Sequence, residues 1–186
     1  MPDQTTLIPP GTAPPGRAER AAMLRVDHAG EVGATRIYAG QLAAMGNRHP
    51  AARMIARMAE QEERHRRRLD GMLVERGVRP TLLGPLWDVA GFALGAATAL
   101  IGPEAAMACT AAVETEIDRH YEQQRVRLAD SEDRELADVV AEFQAEEVEH
   151  RDAALAAGAE RAPGYPLLSA VIRLGCRAAI RLTERI

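Results

Sequence analysis

One arrangement of side chains occurs twice in this chain of 186 residues, and it limits what the chain can fold into. Glu31 is followed 31 residues later by Glu62-x-x-His65, and Glu114 is followed 33 residues later by Glu147-x-x-His150. Corresponding residues of the two halves stand 83 or 85 positions apart. Residues three apart on a helix share a face, so each Glu-x-x-His presents a carboxylate and an imidazole together. The surrounding sequence is rich in Ala, Leu, Glu and Arg, which favour helix, and β-branched residues never gather into alternating runs. Each half therefore reads as two helices, the first carrying Glu and the second carrying Glu-x-x-His. Two such hairpins folded together antiparallel turn four glutamates and two histidines inward.

Glycine and proline set the element boundaries. Helices are expected over 17–45, ended by Gly46-Asn47, and over about 51–76, with Pro50 in the first turn and Gly77 at the end. A third runs from about Pro103 to Ala129, and a fourth starts from Asp130-Ser131-Glu132-Asp133, where a side-chain cap and early acids suit an N-terminus, and fades near Gly158. Between the halves, Thr81 to Gly102 carries a single charge, Asp88, and is interrupted by Gly84, Pro85, Gly91 and Gly95. It has the length of a membrane span, which takes roughly 18 or more apolar residues. The proline, the acid and the glycines favour instead a crossover with an apolar face, lying along the bundle or in a bilayer surface. After Pro163-Gly164, residues 167–186 form a last amphipathic helix in which Arg173, Arg177, Arg181 and Arg185 recur every four residues. Such a stripe suits an anionic membrane surface and equally a helix packed on the bundle with a solvated edge. The length fits one core. The expected organisation is a disordered leader over 1–16, with two Pro-Pro pairs and no secretory pattern, then a single helical domain over 17–186.

Glu31, Glu62, His65, Glu114, Glu147 and His150 are together the ligand set of a ferritin-like di-metal carboxylate site in an all-α four-helix bundle. Four carboxylates offset much of the charge of two divalent ions and can bridge them, while one imidazole per metal leaves positions open. This donor set suits iron or manganese, although affinity alone also admits copper and zinc. Glu146, four residues before His150, is an alternative to Glu147; Glu147 is preferred because it matches the first half. Glu60, Glu63, Glu116, Glu142 and Glu149 read as outer-face acids or as groups behind the ligands. Asp27 and Asp118 are candidate partners for the second N–H of the ligating imidazoles. His28, three residues before Glu31, is expected to satisfy a backbone group, and Tyr121, seven after Glu114, could line the pocket. Small residues around Glu31 would allow close helix approach. Buried acids are costly, so the metal-free site is expected to be strained or protonated.

Composition removes other classes. All 23 basic residues are arginine and the formal net charge is −4, which leaves no footprint for nucleic acid. Cys109 and Cys176 match neither a zinc pattern nor a CxxC motif and read as small core residues.

Longer strings carry a resemblance. Leu24-Arg25-Val26-Asp27-His28-Ala29-Gly30-Glu31, Arg36-Ile37-Tyr38-Ala39-Gly40-Gln41, Pro85-Leu86-Trp87 with Gly91-Phe92-Ala93-Leu94-Gly95, and Met107-Ala108-Cys109-Thr110 resemble, in order, the demethoxyubiquinone hydroxylase family, over about residues 20–185. The resemblance implies a di-iron monooxygenase that uses O2 to hydroxylate the ring of a membrane-resident polyprenyl demethoxyubiquinol, with NADH or another reductant as electron source. It implies two iron ions held by Glu31, Glu62, His65, Glu114, Glu147 and His150, the six already chosen by spacing. Tyr121 and Arg177 match family positions near the site and are candidates to position the quinone head or relay electrons and protons. At Arg181 the chain departs from animal members, which carry Tyr, so a tyrosine-dependent relay is not carried over. Peripheral attachment, at the cytoplasmic face of the cell membrane in a bacterium, gives the crossover and the basic helix a joint purpose. A homo-oligomer and a place in a ubiquinone-biosynthesis complex are compatible with it. Iron storage would use the same six ligands without needing an apolar crossover. A peroxide-scavenging bundle of the rubrerythrin type commonly adds a CxxC iron module, which this chain lacks, and a non-enzymatic membrane-surface bundle leaves the paired spacing unexplained.

Overall fold

A computed structural model describes residues 13–46 and 49–186. Helices α1 (Arg17–Met45) and α2 (Pro50–Arg76) form one antiparallel hairpin, and α4 (Pro103–Leu128) and α5 (Arg134–Ala156) form another. α3 (Gly84–Ile101) connects them, and α6 (Tyr165–Thr183) follows a short 3-10 turn at Ala159–Arg161. No strand occurs among the described residues. The protein is all-helical, as its composition predicted, with boundaries where glycine, proline and caps placed them. The imidazole of His49 accepts from the Ala51 N–H ahead of Pro50, Gly77 ends α2 in the left-handed region at φ 62°, and Asp133 accepts from the Leu136 N–H to start α5. α6 begins at Tyr165, two residues earlier than expected, and ends at Thr183. Residues 1–12 of the expected leader lie outside the described residues. The stretch that follows is held against the bundle, Arg127 Nη1 donating to the Ala13 carbonyl and Arg20 Nη1 to that of Pro15.

Two apolar clusters fill the bundle along its length. One gathers Leu24, Leu69, Met72, Leu128, Leu136 and Phe143; the other gathers Tyr38, Ile55, Met58, Met107, Ala108 and Ala154. The inward glutamates fall between them on all four helices.

α3 packs chiefly on α1 and α6 chiefly on α4. The chain thus consists of two three-helix units in which the third helix lies back on the first. α3 is long and apolar enough to cross a membrane by length and composition, yet it lies along α1, burying only Gly91, Gly95 and Thr98. Its one charge is matched, since Arg36 Nε stands 2.8 Å from Asp88 Oδ1, and the same guanidinium lies 5.1 Å from the Phe92 ring centroid. The contact is backbone to backbone. A Cβ on Gly95 would collide with the Ile37 carbonyl, one on Gly40 with the Phe92 carbonyl, and one on Gly91 would sit 2.8 Å from the Gly33 oxygen. The close approach predicted around Glu31 is thus met at Gly33 and continues along α1 to Ile37 and Gly40, while Ala29, Gly30 and Ala34 line a cavity.

Gly95→Ala should destabilise the fold by about 1–3 kcal/mol, because neither backbone can move without separating α3 from α1. Gly71→Ala, at an exposed point of α2 where a Cβ meets nothing within 4 Å, should stabilise by about 0.5–1 kcal/mol. Thermal unfolding of the two variants reads the difference; equal melting temperatures would contradict the backbone contact.

Candidate metal centre

The six residues selected by spacing converge. Glu31, Glu62, His65, Glu114, Glu147 and His150 are each at most 3% exposed. Ligating atoms of Glu31, Glu62, His65 and Glu147 all lie within 4.8 Å of one another, as do those of Glu62, Glu114, Glu147 and His150. Glu62 and Glu147 belong to both groups, which is the placement of bridging carboxylates, while Glu31 with His65 and Glu114 with His150 form the two ends. His65 Nδ1 is 3.4 Å from Glu31 Oε2 and 3.3 Å from Glu147 Oε1. His150 Nδ1 is 3.0 Å from Glu62 Oε1 and 3.2 Å from Glu147 Oε2.

Two tyrosines close the cluster symmetrically. Tyr121 Oη donates to Glu31 Oε1 at 2.7 Å and Tyr38 Oη donates to Glu114 Oε1 at 2.8 Å, each phenol crossing to the other half's glutamate. Tyr38 was not among the predicted site residues, although it stands 83 positions before Tyr121, the same offset that relates Glu31 to Glu114. The second nitrogens of the imidazoles also find partners that differ from those expected. His65 Nε2 donates to Glu146 Oε2 at 3.0 Å and His150 Nε2 donates to Gln61 Oε1 at 3.1 Å. Asp27 instead accepts from His120 and Gln124, and Asp118 from Gln144 and Arg151. Both aspartates lie a turn or more along their helices from the cluster, facing the α4 side chains and the α5 surface. His28 donates to the Asp70 carboxylate rather than to backbone.

Arg177, expected near the site, meets Glu116 Oε1 at 3.1 Å, where Arg173 Nε also arrives at 2.6 Å. Its place on α6 is the reason. Ile172, Cys176, Ala179 and Ile180 face inward, and Arg177 falls a quarter turn or more to the side, toward α4. Glu116, read as an outer-face acid or a group behind the ligands, is buried and ties α6 to α4.

An apolar cavity of about 430 Å³ reaches the cluster. Glu31, Glu62, Glu114, Glu147 and Tyr121 form its floor, with α1, α3, α4 and α6 as walls. α3 and α6 are joined where Trp87 Nε1 donates to Thr183 Oγ1 at 3.1 Å. Elsewhere the cavity opens between them at Val171, which is 60% exposed. Cys176 lines the wall, its thiol pushed up to about 12 by burial, so it stands there protonated and weakly nucleophilic.

The electrostatics are those of too many acids in too little water. Burial, then repulsion from Glu147, drives the Glu62 and Glu114 carboxyls well above the ordinary range. Burial opposes the charge of Glu147 too, but the hydrogen bond from His150 and the neighbouring His65 imidazole outweigh it and hold that carboxyl at about 2. His65 is the counterpart: burial works against its charge, yet Glu147 and Glu31 raise it to about 10. Glu31 Oε2, Glu62 Oε1, His65 Nδ1 and Glu147 Oε1 are nevertheless buried without a hydrogen-bond partner. Unpartnered ligand atoms on four converging residues are what a pair of divalent cations would satisfy.

Comparison with known proteins points the same way. The family model described as ubiquinone biosynthesis protein COQ7 matches residues 18–183. The chain is 51% identical over 176 residues to a 3-demethoxyubiquinol 3-hydroxylase of Rhodospirillum rubrum, covering 92% of this chain and 82% of that one. It is 50% identical over 173 residues to the mitochondrial NADPH-dependent 3-demethoxyubiquinone 3-hydroxylase of Mus musculus, covering 91% and 79%. To the mitochondrial 5-demethoxyubiquinone hydroxylase of Saccharomyces cerevisiae it is 40% identical over 179 residues, covering 88% and 77%.

Removal of metal should make stability fall as pH rises. Glu62 and Glu114 keep protons that the unfolded chain releases near 4.5, and His65 keeps one to about 10 against 6.5 unfolded. Both contributions are complete below the unfolded values and are lost on the way up, each extra proton weakening the fold by about 1.4 kcal/mol per pH unit. Glu147 acts oppositely, its contribution being lost only as pH falls from 4.5 through about 2. Chelated protein should melt lower at about pH 9 than at about pH 6. Ferrous or manganous ion should raise the melting temperature most at the higher pH, with release of protons. A flat profile would contradict the cluster's electrostatics.

Proposed function

The chain belongs to the family of ubiquinone biosynthesis protein COQ7, and from that premise we infer that it is a 3-demethoxyubiquinol 3-hydroxylase, a monooxygenase of late ubiquinone biosynthesis. The observation that carries this reading is the apolar cavity that ends on the buried carboxylate–imidazole cluster. Its volume of about 430 Å³ is that of a pocket for one small organic molecule. A demethoxyquinol ring fits such walls, and its polyprenyl tail leaves between α3 and α6.

In this reading Glu31, Glu62, His65, Glu114, Glu147 and His150 would hold two irons, Glu62 and Glu147 belonging to both groups of converging ligands. Iron held there would supply redox chemistry and open coordination positions for O2. One oxygen atom enters the ring and the other leaves as water, with two electrons and two protons delivered by a reductant. NADH, or NADPH as the name of the mouse relative states, is the proposed source. The protein's part is to orient and to exclude. Val113, Ile117, Leu94 and Ile172 keep water from the ring. Tyr121 lies on the cavity floor with its hydroxyl on Glu31, where it can hold a ring oxygen against the cluster or pass a proton to that carboxylate. Burial, then the Glu31 charge, raises its phenol well above the usual value, so it remains a donor. Arg177 acts at one remove, as a positioning residue that fixes the α6 wall through Glu116. The protonated Cys176 thiol leaves a bound quinone intact.

The outer faces of α3 and α6 fit a peripheral membrane attachment. Leu86, Val89 and Leu100 on α3, and Leu167, Val171 and Leu174 on α6, are at least half exposed, and arginines border the second group. Apolar side chains dipping into the acyl boundary with basic neighbours at the headgroups are the physics of an in-plane anchor. In a bacterium this anchor would lie on the cytoplasmic face of the cell membrane. The cavity opens on that side, where the substrate resides.

Glu147→Ala should abolish incorporation of labelled oxygen from O2 into a demethoxyquinol and lower the bound iron, while helical circular dichroism persists because Ala is the strongest helix former. Retained hydroxylation would sink the site assignment. Gly175→Leu is the complementary change, since a Cβ there meets nothing within 4 Å and a larger side chain fills the cavity. That variant should keep two irons and lose turnover on the order of tenfold or more, equivalent to about 1.4 kcal/mol in the barrier. Unchanged turnover would place the substrate elsewhere.

A further inference from the structure

Gln61 and Glu146 occupy equivalent places in the two halves, each one residue before the inward glutamate and 85 positions apart. Each reaches across the bundle to the other half's histidine, Glu146 Oε2 to His65 Nε2 at 3.0 Å and Gln61 Oε1 to His150 Nε2 at 3.1 Å. They also meet one another, Gln61 Nε2 donating to Glu146 Oε2 at 2.8 Å. A carboxylate beside an amide receives from the NH2 and leaves the amide oxygen facing away, so only one proton arrangement satisfies all three contacts. His150 must donate from Nε2 to the Gln61 oxygen, and His65 donates from Nε2 to Glu146. Both Nδ1 atoms then face the glutamate cluster, where they would turn their lone pairs to bound metal.

At this contact the two halves differ. The acceptor behind His65 is a carboxylate and the acceptor behind His150 is a neutral amide. A carboxylate draws the Nε2 proton more strongly and makes the other ring nitrogen the better electron donor. Accordingly, we infer that the two metal positions are inequivalent, the one at His65 being the more readily oxidised, and that the Gln61–Glu146 contact sets the difference. This rests on the reading of the cluster as a two-metal site and adds to it a direction, with Glu146 and Gln61 as positioning residues that act through the imidazoles. The pairing also couples the ends. The amide that receives from His150 is held by the carboxylate that receives from His65, so neither acceptor can turn without disturbing the other.

The test is a mediated redox titration of the iron-loaded full chain, read by the electron paramagnetic resonance of the mixed-valent form, which accumulates to the extent that the two irons oxidise at separate potentials. In Glu146→Gln both acceptors are amides. The first oxidation becomes harder, the two steps approach one another, and the maximal mixed-valent yield falls with its midpoint moved upward. In the exchange Gln61→Glu with Glu146→Gln the network is reversed in direction, and the yield returns to that of the parent protein. Helical content and iron per chain are measured in each variant. A mixed-valent yield unmoved by Glu146→Gln, or not restored by the exchange, overturns the inference. Failure of the parent chain to bind two irons overturns instead the two-metal reading on which it rests.

Discussion

Four carboxyl groups and two imidazoles share a space from which water is excluded, and most of the structure answers to that fact. Charged groups taken out of water cost several kcal/mol each unless paired. In the metal-free protein the charge is contained by protons, with Glu62 and Glu114 held neutral and His65 held positive between Glu31 and Glu147. Two divalent cations would do the same with the carboxylates ionised. Either solution needs the side chains held in register from four helices at once. The apolar clusters on either side of the site supply that, and Tyr38 and Tyr121 lock one terminal glutamate each from the opposite half.

The polar centre opens directly onto an apolar cavity. That juxtaposition separates a site for a hydrophobic organic molecule from one that only handles ions, since ions have no use for walls of Val, Ile and Leu. The same walls keep water away from the reacting positions and raise the Cys176 thiol to about 12. Leaving cavity and mouth between α3 and α6 places the entrance among the exposed apolar side chains. Under the proposed membrane attachment, a molecule with a lipid tail would enter without passing through water.

Helical periodicity and the doubled Glu-x-x-His were enough to read the helices and the six converging residues, because both are local patterns whose consequence is forced by 3.6 residues per turn. What lay beyond them depends on helix packing. Asp27 stands one residue from His28 and Asp118 two from His120, whereas Glu146 is four from His150, so sequence separation points to the wrong partners. Only the crossing of α2 over α5 brings Glu146 to His65 and Gln61 to His150. Arg177 lies a single residue from the cavity-lining Cys176, and the rotation of α6 decides that its guanidinium meets Glu116. Tyr38 was within reach, since the offset of 83 that pairs Glu31 with Glu114 also pairs it with Tyr121.

Followed further, the repeat explains why the two third helices behave differently. Gly33 and Glu116 are again 83 positions apart. In the first half Gly33 leaves α1 bare, and Gly91 of α3 lies against its backbone too closely for a Cβ. In the second half the corresponding place on α4 carries a buried carboxylate that meets Arg173 and Arg177, and α6 rests on α4 through side chains, Ile172 against Cys109, Ala112 and Val113. One third helix is seated on backbone and the other on side chains. A symmetric duplication would have closed both sides or opened both. The asymmetry gives one wall set on backbone and one set on side chains, and the cavity that leads to the buried carboxylates occupies the space between them.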